Sequence, residues 1–355
     1  MDLIIKIFQH KITKILLFLA LIALILSVYF FRAWYSVQYH KALGFYYVYK
    51  ADRAYKQQKY QKAIDLYKAA LSNYPGHSRA SCNLGNIYVS FENYSEAVKY
   101  YENALKYTPD FVVCRMNLGI ILSEKTADYD KAAEEYELAA QSKPFAVNIP
   151  FVYNSLETLK INRGTSYYNA GLAYTSKSMS AGRDTIMHKK YLKKAEEAFL
   201  NAQKFLKDNF DNTYNLALIL QLSGNYDKAA EEYCKAVNLK PDNFDAHYNF
   251  AVLLLKMHKY QEALEELEKS LLLADYSSGA KHNYLLSLIT DTKKHIAGSG
   301  GRNYLNTHQA VTSLGKNDIV YSNGRIKADN QPDLDIPKLM KCTYGKKDNK
   351  ADEKQ

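Results

Sequence analysis

Three kinds of side chain in this sequence could do chemistry if their spacing allowed it: nine histidines, several adjacent glutamate pairs and four cysteines. A metal site needs His, Cys or carboxylate ligands at short, fixed offsets. His247 and His258 stand eleven residues apart, on roughly one side of a helix, but no carboxylate is spaced to complete a site. Both therefore read as surface or packing residues. The pairs Glu134–Glu135, Glu196–Glu197 and Glu231–Glu232 resemble the paired carboxylates of acid–base catalysis. Each lies on the polar side of an amphipathic stretch, so they read as salt-bridged, solvated surface. Cys82, Cys114, Cys234 and Cys342 include no C-x-x-C spacing, which excludes a zinc ribbon and a redox dithiol motif. They read as small buried hydrophobes.

Other catalytic signatures are missing as well. There is no G-x-x-x-x-G-K-[ST], G-x-S-x-G or H-E-x-x-H. The GSGG at Gly298–Gly301 follows no strand and is no phosphate cradle. The expectation is a protein that is not an enzyme, with no cofactor, no metal and no small-molecule substrate. Its 47 basic and 37 acidic residues give a net charge of +10. That excess is spread along the chain, as on a solvated surface, and points to no nucleic-acid partner.

With chemistry set aside, the elements that organise the 355 residues come forward. Only 15 Gly and 7 Pro are present, against 32 Tyr, which favours helices over turn-rich β architectures. Ile15 to Phe31 reads ILLFLALIALILSVYFF, without a charge. Residues 12–31 cover about 30 Å as a helix, the thickness of a bilayer's hydrocarbon core. Tyr29, Trp34 and Tyr35 stand where an interfacial aromatic belt belongs. Small residues do not follow the apolar run, so it reads as an uncleaved signal-anchor rather than a signal peptide. Residues 1–11 are a short lead and 32–43 a juxtamembrane helix. Lys6, Lys11 and Lys14 precede the span, and Arg32, Lys41 and Lys50 follow it within about twenty residues; the nearer flank places the N-terminus in the cytoplasm by a narrow margin, with the rest across the membrane. The rival orientation keeps the rest in the cytoplasm.

A period near 34 residues follows. YQKAIDLYKAALSNYP at Tyr60–Pro75 recurs as YSEAVKYYENALKYTP at Tyr94–Pro109 and YDKAAEEYELAAQSKP at Tyr129–Pro144. It returns as YDKAAEEYCKAVNLKP at Tyr226–Pro241 and YQEALEELEKSLLLAD at Tyr260–Asp275. Ahead of these stretches stand NLGNIY (83–88), NLGIIL (117–122), NAGLAY (169–174), NLALIL (215–220) and NFAVLL (249–254). Ala63 to Ala97, Ala195 to Ala229 and Ala229 to Ala263 are each 34 apart.

This pattern resembles the tetratricopeptide repeat family, with small residues where two helices cross, an aromatic between them and a closing Pro. The resemblance covers about two thirds of the chain. It implies an all-α fold: a tetratricopeptide-repeat superhelix, an α-solenoid of helix-turn-helix pairs, preceded by one transmembrane helix. About six repeats fill 44–275, a capping helix spans 276–294, and a polar, disordered tail spans 295–355. Ile319–Lys327 within that tail carries a weak Asn-Gly hairpin signal. Spacing fails in the fourth repeat. Extra residues near 145–163 suggest a loop plus a helical turn, and those at 175–190 suggest a surface loop between its two helices.

The resemblance further implies a scaffold whose first helices line a groove that takes a protein or an extended peptide segment. The family register puts Arg79, Cys82, Asn83, Asn86 and Val89 on that face, then Val113, Met116, Asn117 and Ile120. Tyr168, Asn169 and Leu172 follow, then Tyr214, Asn215 and Leu218, then Tyr248, Asn249 and Val252. The recurring Asn amides suit the backbone of an extended peptide; packing within the array is the other reading of the same residues. One subtype of the family grips a C-terminal carboxylate. Asn86 and Asn117 match two of its places, but Cys82 stands where it needs Lys, and Thr165 and Asn169 where it needs basic groups. A related pattern ends in a four-cysteine metal domain, and this tail offers only Cys342. The reading is a membrane-anchored scaffold for assembling a membrane or envelope complex. The alternatives are a cytoplasm-facing receptor for targeting or translocation, and an accessory subunit of a membrane-bound enzyme.

Overall fold

Gly44 is the lone helix-breaking residue in the first 56, and they form one helix, α1 (Asp2–Lys56), about 80 Å long at the α-helical rise. The computed structural model describes residues 2–143, 156–182, 185–274 and 279–298, together with Cys342 and Tyr344. The stretch Thr13–Lys56 contains a window of mean hydropathy 2.6, none of it buried, long and apolar enough to cross a membrane. The expected anchor and juxtamembrane helix are thus parts of a single element, which continues into the first hairpin.

The chain forms two compact units, Met1–Leu156 and Glu157–Gln355. In the first, the end of α1 pairs with α2 (Tyr60–Asn73), α3 (Ser78–Ser90) with α4 (Tyr94–Tyr107), and α5 (Val112–Glu124) with α6 (Tyr129–Gln141). Val48, Ala51 and Ala54 of α1 bury against Ala63, Ile64, Tyr67 and Ala70 of α2 and Ala80, Leu84 and Ile87 of α3. Small residues let the helix axes approach and one ring fills each crossing. A Cβ on Gly85 would lie 2.7 Å from the Tyr101 ring, and one on Gly119 the same distance from Tyr136. Both rings are buried, at 1% and 3% exposure.

The second unit holds α7 (Leu156–Ser180), α8 (Ile186–Gln203), α9 (Phe210–Leu222), α10 (Tyr226–Leu239), α11 (Phe244–Lys256), α12 (Tyr260–Leu273) and α13 (Gly279–Ile296). They pack as hairpins: α7/α8 through Ser178 with His188 and Tyr174 with Tyr191, then α9/α10 and α11/α12, with α13 against α12 and its Leu285, Leu288 and Ile289 buried. Described residues are α-helical or in short connections, with no strand among them. This is the expected all-α array of tetratricopeptide-type hairpins.

Several expectations need correction. Residues 175–190 were expected as a surface loop, but 175–180 extend α7 and 186–190 belong to α8. The added turns hold together because Ser178 Oγ lies 2.9 Å from His188 Nδ1 and donates to the His188 carbonyl at 3.1 Å, all buried. Tyr174 and Tyr191 stack beside them. Glu232 is not solvated: it is 9% exposed, pairs with Lys235 at 2.6 Å and accepts from Gln203. Cys82 and Cys114 are buried thiols as expected, but Cys234 and Cys342 form a disulfide. Two residues of the tail, Cys342 and Tyr344, are therefore fixed on the array. The hairpin signal at Ile319–Lys327 and most of the 145–163 insertion lie outside the described residues.

The turns between paired helices bend through one left-handed residue, Gln58, Glu92, Ala127, Gly182, Gly224 or His258, with φ between 53° and 82°. Where a glycine serves packing instead, its replacement can be weighed. A Cβ at Gly171 would sit 2.6 Å from Cε1 of Phe199, a ring with 0% exposure that has nowhere to swing. Helix propensity favours Gly171→Ala by about 1 kcal/mol, whereas overpacking costs about 1–3 kcal/mol. The steric term wins, and we expect a net loss of roughly 1 kcal/mol in denaturant titration. An unchanged midpoint would show that the ring moves freely.

Candidate functional site

The first helices of the hairpins carry the expected face, and its polar residues are joined by a repeating set of hydrogen bonds. On α2, the Tyr67 hydroxyl donates to Asp52 Oδ1 of α1 at 2.5 Å. Arg79 and Asn83 of α3 donate to the same carboxylate at 2.6 and 3.3 Å, and Asn83 also donates to the Tyr67 hydroxyl at 3.1 Å. One period later, Tyr101 donates to Asn86 Oδ1 at 2.7 Å and Asn117 to the same oxygen at 2.8 Å. Asp52 and Asn86 are 34 residues apart, as are Tyr67 and Tyr101, and Asn83 and Asn117. The bonding pattern therefore repeats with the hairpin.

The second unit uses its asparagines in the same way. Asn215 donates to the Tyr168 hydroxyl at 3.2 Å and to the Asp211 carbonyl at 2.8 Å. Asn249 donates to the Tyr214 hydroxyl at 2.5 Å. The recurring amides thus tie α3, α5, α9 and α11 each to the hairpin before it. Burial raises the pKa of the Tyr67 phenol, with the Asp52 carboxylate adding to the rise. Burial also raises Tyr214, with the charge of Asp245 adding and the Asn249 hydrogen bond opposing. Both rings stay neutral donors or acceptors at ordinary pH.

What the face leaves open differs between positions. Val113 is 52% exposed, and Val89, Met116 and Ile120 are half-buried. Together they make an apolar strip on α3 and α5. Arg79, Asn83, Asn86 and Asn117 are half-buried beside it, and Asn169, Leu172, Leu218, Tyr168, Tyr214 and Tyr248 are half-buried in the second unit. Cys82 and Val252, expected to face the groove, are 2% and 4% exposed and offer it no surface. They turn toward the neighbouring helix rather than solvent, a difference of a fraction of a helical turn that register alone does not resolve. The sequence reading missed Asp52, the anchor of the first cluster. Its signal was available, because it stands one period before Asn86.

Among the described residues no group of three or more His, Cys, Asp or Glu is placed to hold a metal ion. The arrangement is a set of ordered, half-exposed apolar and amide side chains suited to contact with another polypeptide.

Residues 54–110 match a tetratricopeptide repeat model, and residues 190–270 match the model described as anaphase-promoting complex, cyclosome, subunit 3. Among solved structures, the chain is similar to PilF of Pseudomonas aeruginosa at 16% identity, covering 70% of this chain and 98% of that one, with a TM-score of 0.47. It is similar to PilW, a type IV pilus biogenesis factor, at 15% identity over 68% and 98%, with a TM-score of 0.45. It is also similar to YrrB, a tetratricopeptide protein with an unusual peptide-binding site, at 17% identity over 58% and 91%, with a TM-score of 0.44.

Proposed function

We propose that this chain is a membrane-anchored scaffold that holds a protein partner on the first-helix face of its hairpin array. The carrying observation is the apolar strip Val89, Val113, Met116 and Ile120, left partly open on α3 and α5 beside half-buried amides. An extended or helical apolar segment from a partner would cover it, with Asn86 and Asn117 at its edge. Anchoring through 12–31 confines the encounter to the membrane and raises effective concentration without adding contacts. The role that follows is assembly of a membrane or envelope complex.

The disulfide supports the orientation read from the lysines. Disulfides persist in oxidising compartments and are rare in the cytosol, and Cys234–Cys342 lies in the part expected across the membrane from the N-terminus. This favours an extracytoplasmic array over a cytoplasm-facing receptor.

The test places a photo-crosslinking amino acid at Met116 in the intact anchored protein, in its native membrane. We expect one discrete crosslinked partner, identifiable by mass spectrometry. We also expect its yield to fall at least about tenfold when Val113→Asp is added, equivalent to about 1.4 kcal/mol of lost binding. Val113 is exposed, so helicity should not change. Equal yields with and without Val113→Asp would remove the strip from the binding surface.

A further inference from the structure

Cys342 and Tyr344 do more than carry a disulfide to the array. Asn238 of α10 meets the Cys342 main chain twice: its Oδ1 accepts from the Cys342 N–H at 2.9 Å and its Nδ2 donates to the Cys342 carbonyl at 3.0 Å. A side-chain amide facing both main-chain groups of one residue reads extended backbone and is indifferent to the side chain there. Two positions on, Tyr344 sits in a pocket of different chemistry. The Lys259 ammonium lies 4.2 Å from its ring centroid and donates to its hydroxyl. Phe250 of α11 meets the ring edge-on, with centroids 6.2 Å apart. Cys234, one helical turn before Asn238, supplies the other half of the disulfide.

We propose that this seam of α10, α11 and the start of α12 is a second polypeptide-binding site, separate from the first-helix strip, whose resident ligands are the chain's own Cys342 and Tyr344. The site takes an extended segment by one main-chain residue at Asn238 and a tyrosine two residues later at Lys259 and Phe250. The disulfide makes occupancy permanent. Opening it requires a dithiol reductant. One of its thiolates attacks the Cys342 sulfur, the S–S bond breaks, and Cys234 leaves as a thiolate and takes up a proton. The second thiol then displaces Cys342, leaving both protein cysteines reduced and the dithiol oxidised to a disulfide. The freed tail then competes with any other extended, tyrosine-bearing segment for the same contacts. This inference does not depend on the first-helix strip being the partner surface.

The test uses the full chain in detergent, with a fluorescent peptide of residues 338–347 carrying Ser in place of Cys342. The receptor is the Cys234→Ser, Cys342→Ser, Tyr344→Ala protein, whose own tail can no longer compete well. We expect saturable binding by fluorescence anisotropy, and about tenfold weaker binding when the receptor also carries Asn238→Ala or Lys259→Met. A peptide with Ala in place of Tyr344, at unchanged charge, should bind about tenfold more weakly too. The unmodified disulfide-bonded protein should bind little peptide; dithiothreitol should raise that binding, but not to the level of the vacated receptor, because the freed tail still competes. Asn238 and the Cys342 contact are exposed, and Lys259 is at a turn, so helicity checks the fold of every variant. Equal peptide binding by the oxidised unmodified protein and the vacated receptor would overturn the proposal. So would indifference to both Asn238→Ala and Lys259→Met, which would show that the tail is held by its covalent bond alone.

Discussion

Glu266→Ala should cost this protein about 3–5 kcal/mol, because it leaves the half-buried Lys269 ammonium and the buried His247 ring without the carboxylate that both contact. Glu266 is 4% exposed on α12. Its Oε2 lies 2.5 Å from His247 Nδ1 and its Oε1 is 2.6 Å from Lys269 Nζ. His247 Nε2 faces the Pro241 carbonyl at 3.0 Å, an acceptor only, so it must donate there. With Nδ1 facing the Glu266 carboxyl, the ring is held between two oxygen partners. Burial alone would raise the Glu266 pKa. The hydrogen bonds from His247 and Lys269 outweigh it and hold the carboxyl below its ordinary 4.5.

The sign of the pH dependence follows. A carboxyl whose pKa is lower folded than unfolded contributes stability that is fully present above the unfolded value and lost as pH falls through the folded one. The stability gap between the parent protein and Glu266→Ala should therefore be full at pH 7 and shrink as pH drops below about 4.5. Denaturant titrations at pH 7 and pH 3.5, in detergent, measure it. The exposed neighbour Glu265→Ala, on the same helix, should lie within about 0.5 kcal/mol of the parent. If the two variants were equal at pH 7, the buried triad would contribute nothing.

His247 and Glu266 also show what a single sequence conveys and what it does not. The 34-residue spacing of Ala63, Ala97, Ala229 and Ala263 is a backbone property: each must be small because a helix crosses there, and all are 0% exposed. Periodicity therefore fixes hairpins, crossings and the rings that fill them. It also contained the Asn–Tyr ladder, since Asn215 and Asn249 bond to tyrosines one hairpin earlier at the same register. It could not show that these amides are engaged within the array, because donor and acceptor come from different hairpins. Whether a glutamate is solvated depends on a rotation of a fraction of a turn. Glu231 and Glu265 face water while Glu232 and Glu266 are buried against cations. Cys234 and Cys342 lie 108 residues apart, and nothing local to either announces the other.

Tyr233→Ala is the second large effect, and it acts on the coupling between hairpins rather than on charge. Tyr233 of α10 is 0% exposed and stands between two hairpins. It meets Tyr214 of α9 edge-on and Phe250 of α11 in a stacked arrangement, each with centroids 6.0 Å apart. Truncating a buried aromatic to Ala costs about 3–5 kcal/mol when the walls cannot collapse. Here the walls are helices already held by Ala217, Ala236 and Ala251, all 0% exposed. The hydroxyl donates to Gln221 at 2.9 Å, and Gln221 is half-buried, so Tyr233→Phe should cost only about 1 kcal/mol. Burial raises the Tyr233 phenol pKa well above 10.0, with Tyr214 adding to the rise. The ring must stay neutral in the fold, whereas the unfolded chain ionises near 10.0. Its stabilisation is therefore present below that pH and falls as pH rises above it, a loss that Tyr233→Phe removes. In an array where each hairpin contacts only its neighbours, stability is a sum of hairpin and interface terms. Weakening the α9/α10 interface with α11/α12 should thus broaden the unfolding transition as well as lower its midpoint. A Tyr233→Ala midpoint shifted by the same amount as Tyr233→Phe would mean that the hydroxyl, not the ring, joins the two hairpins.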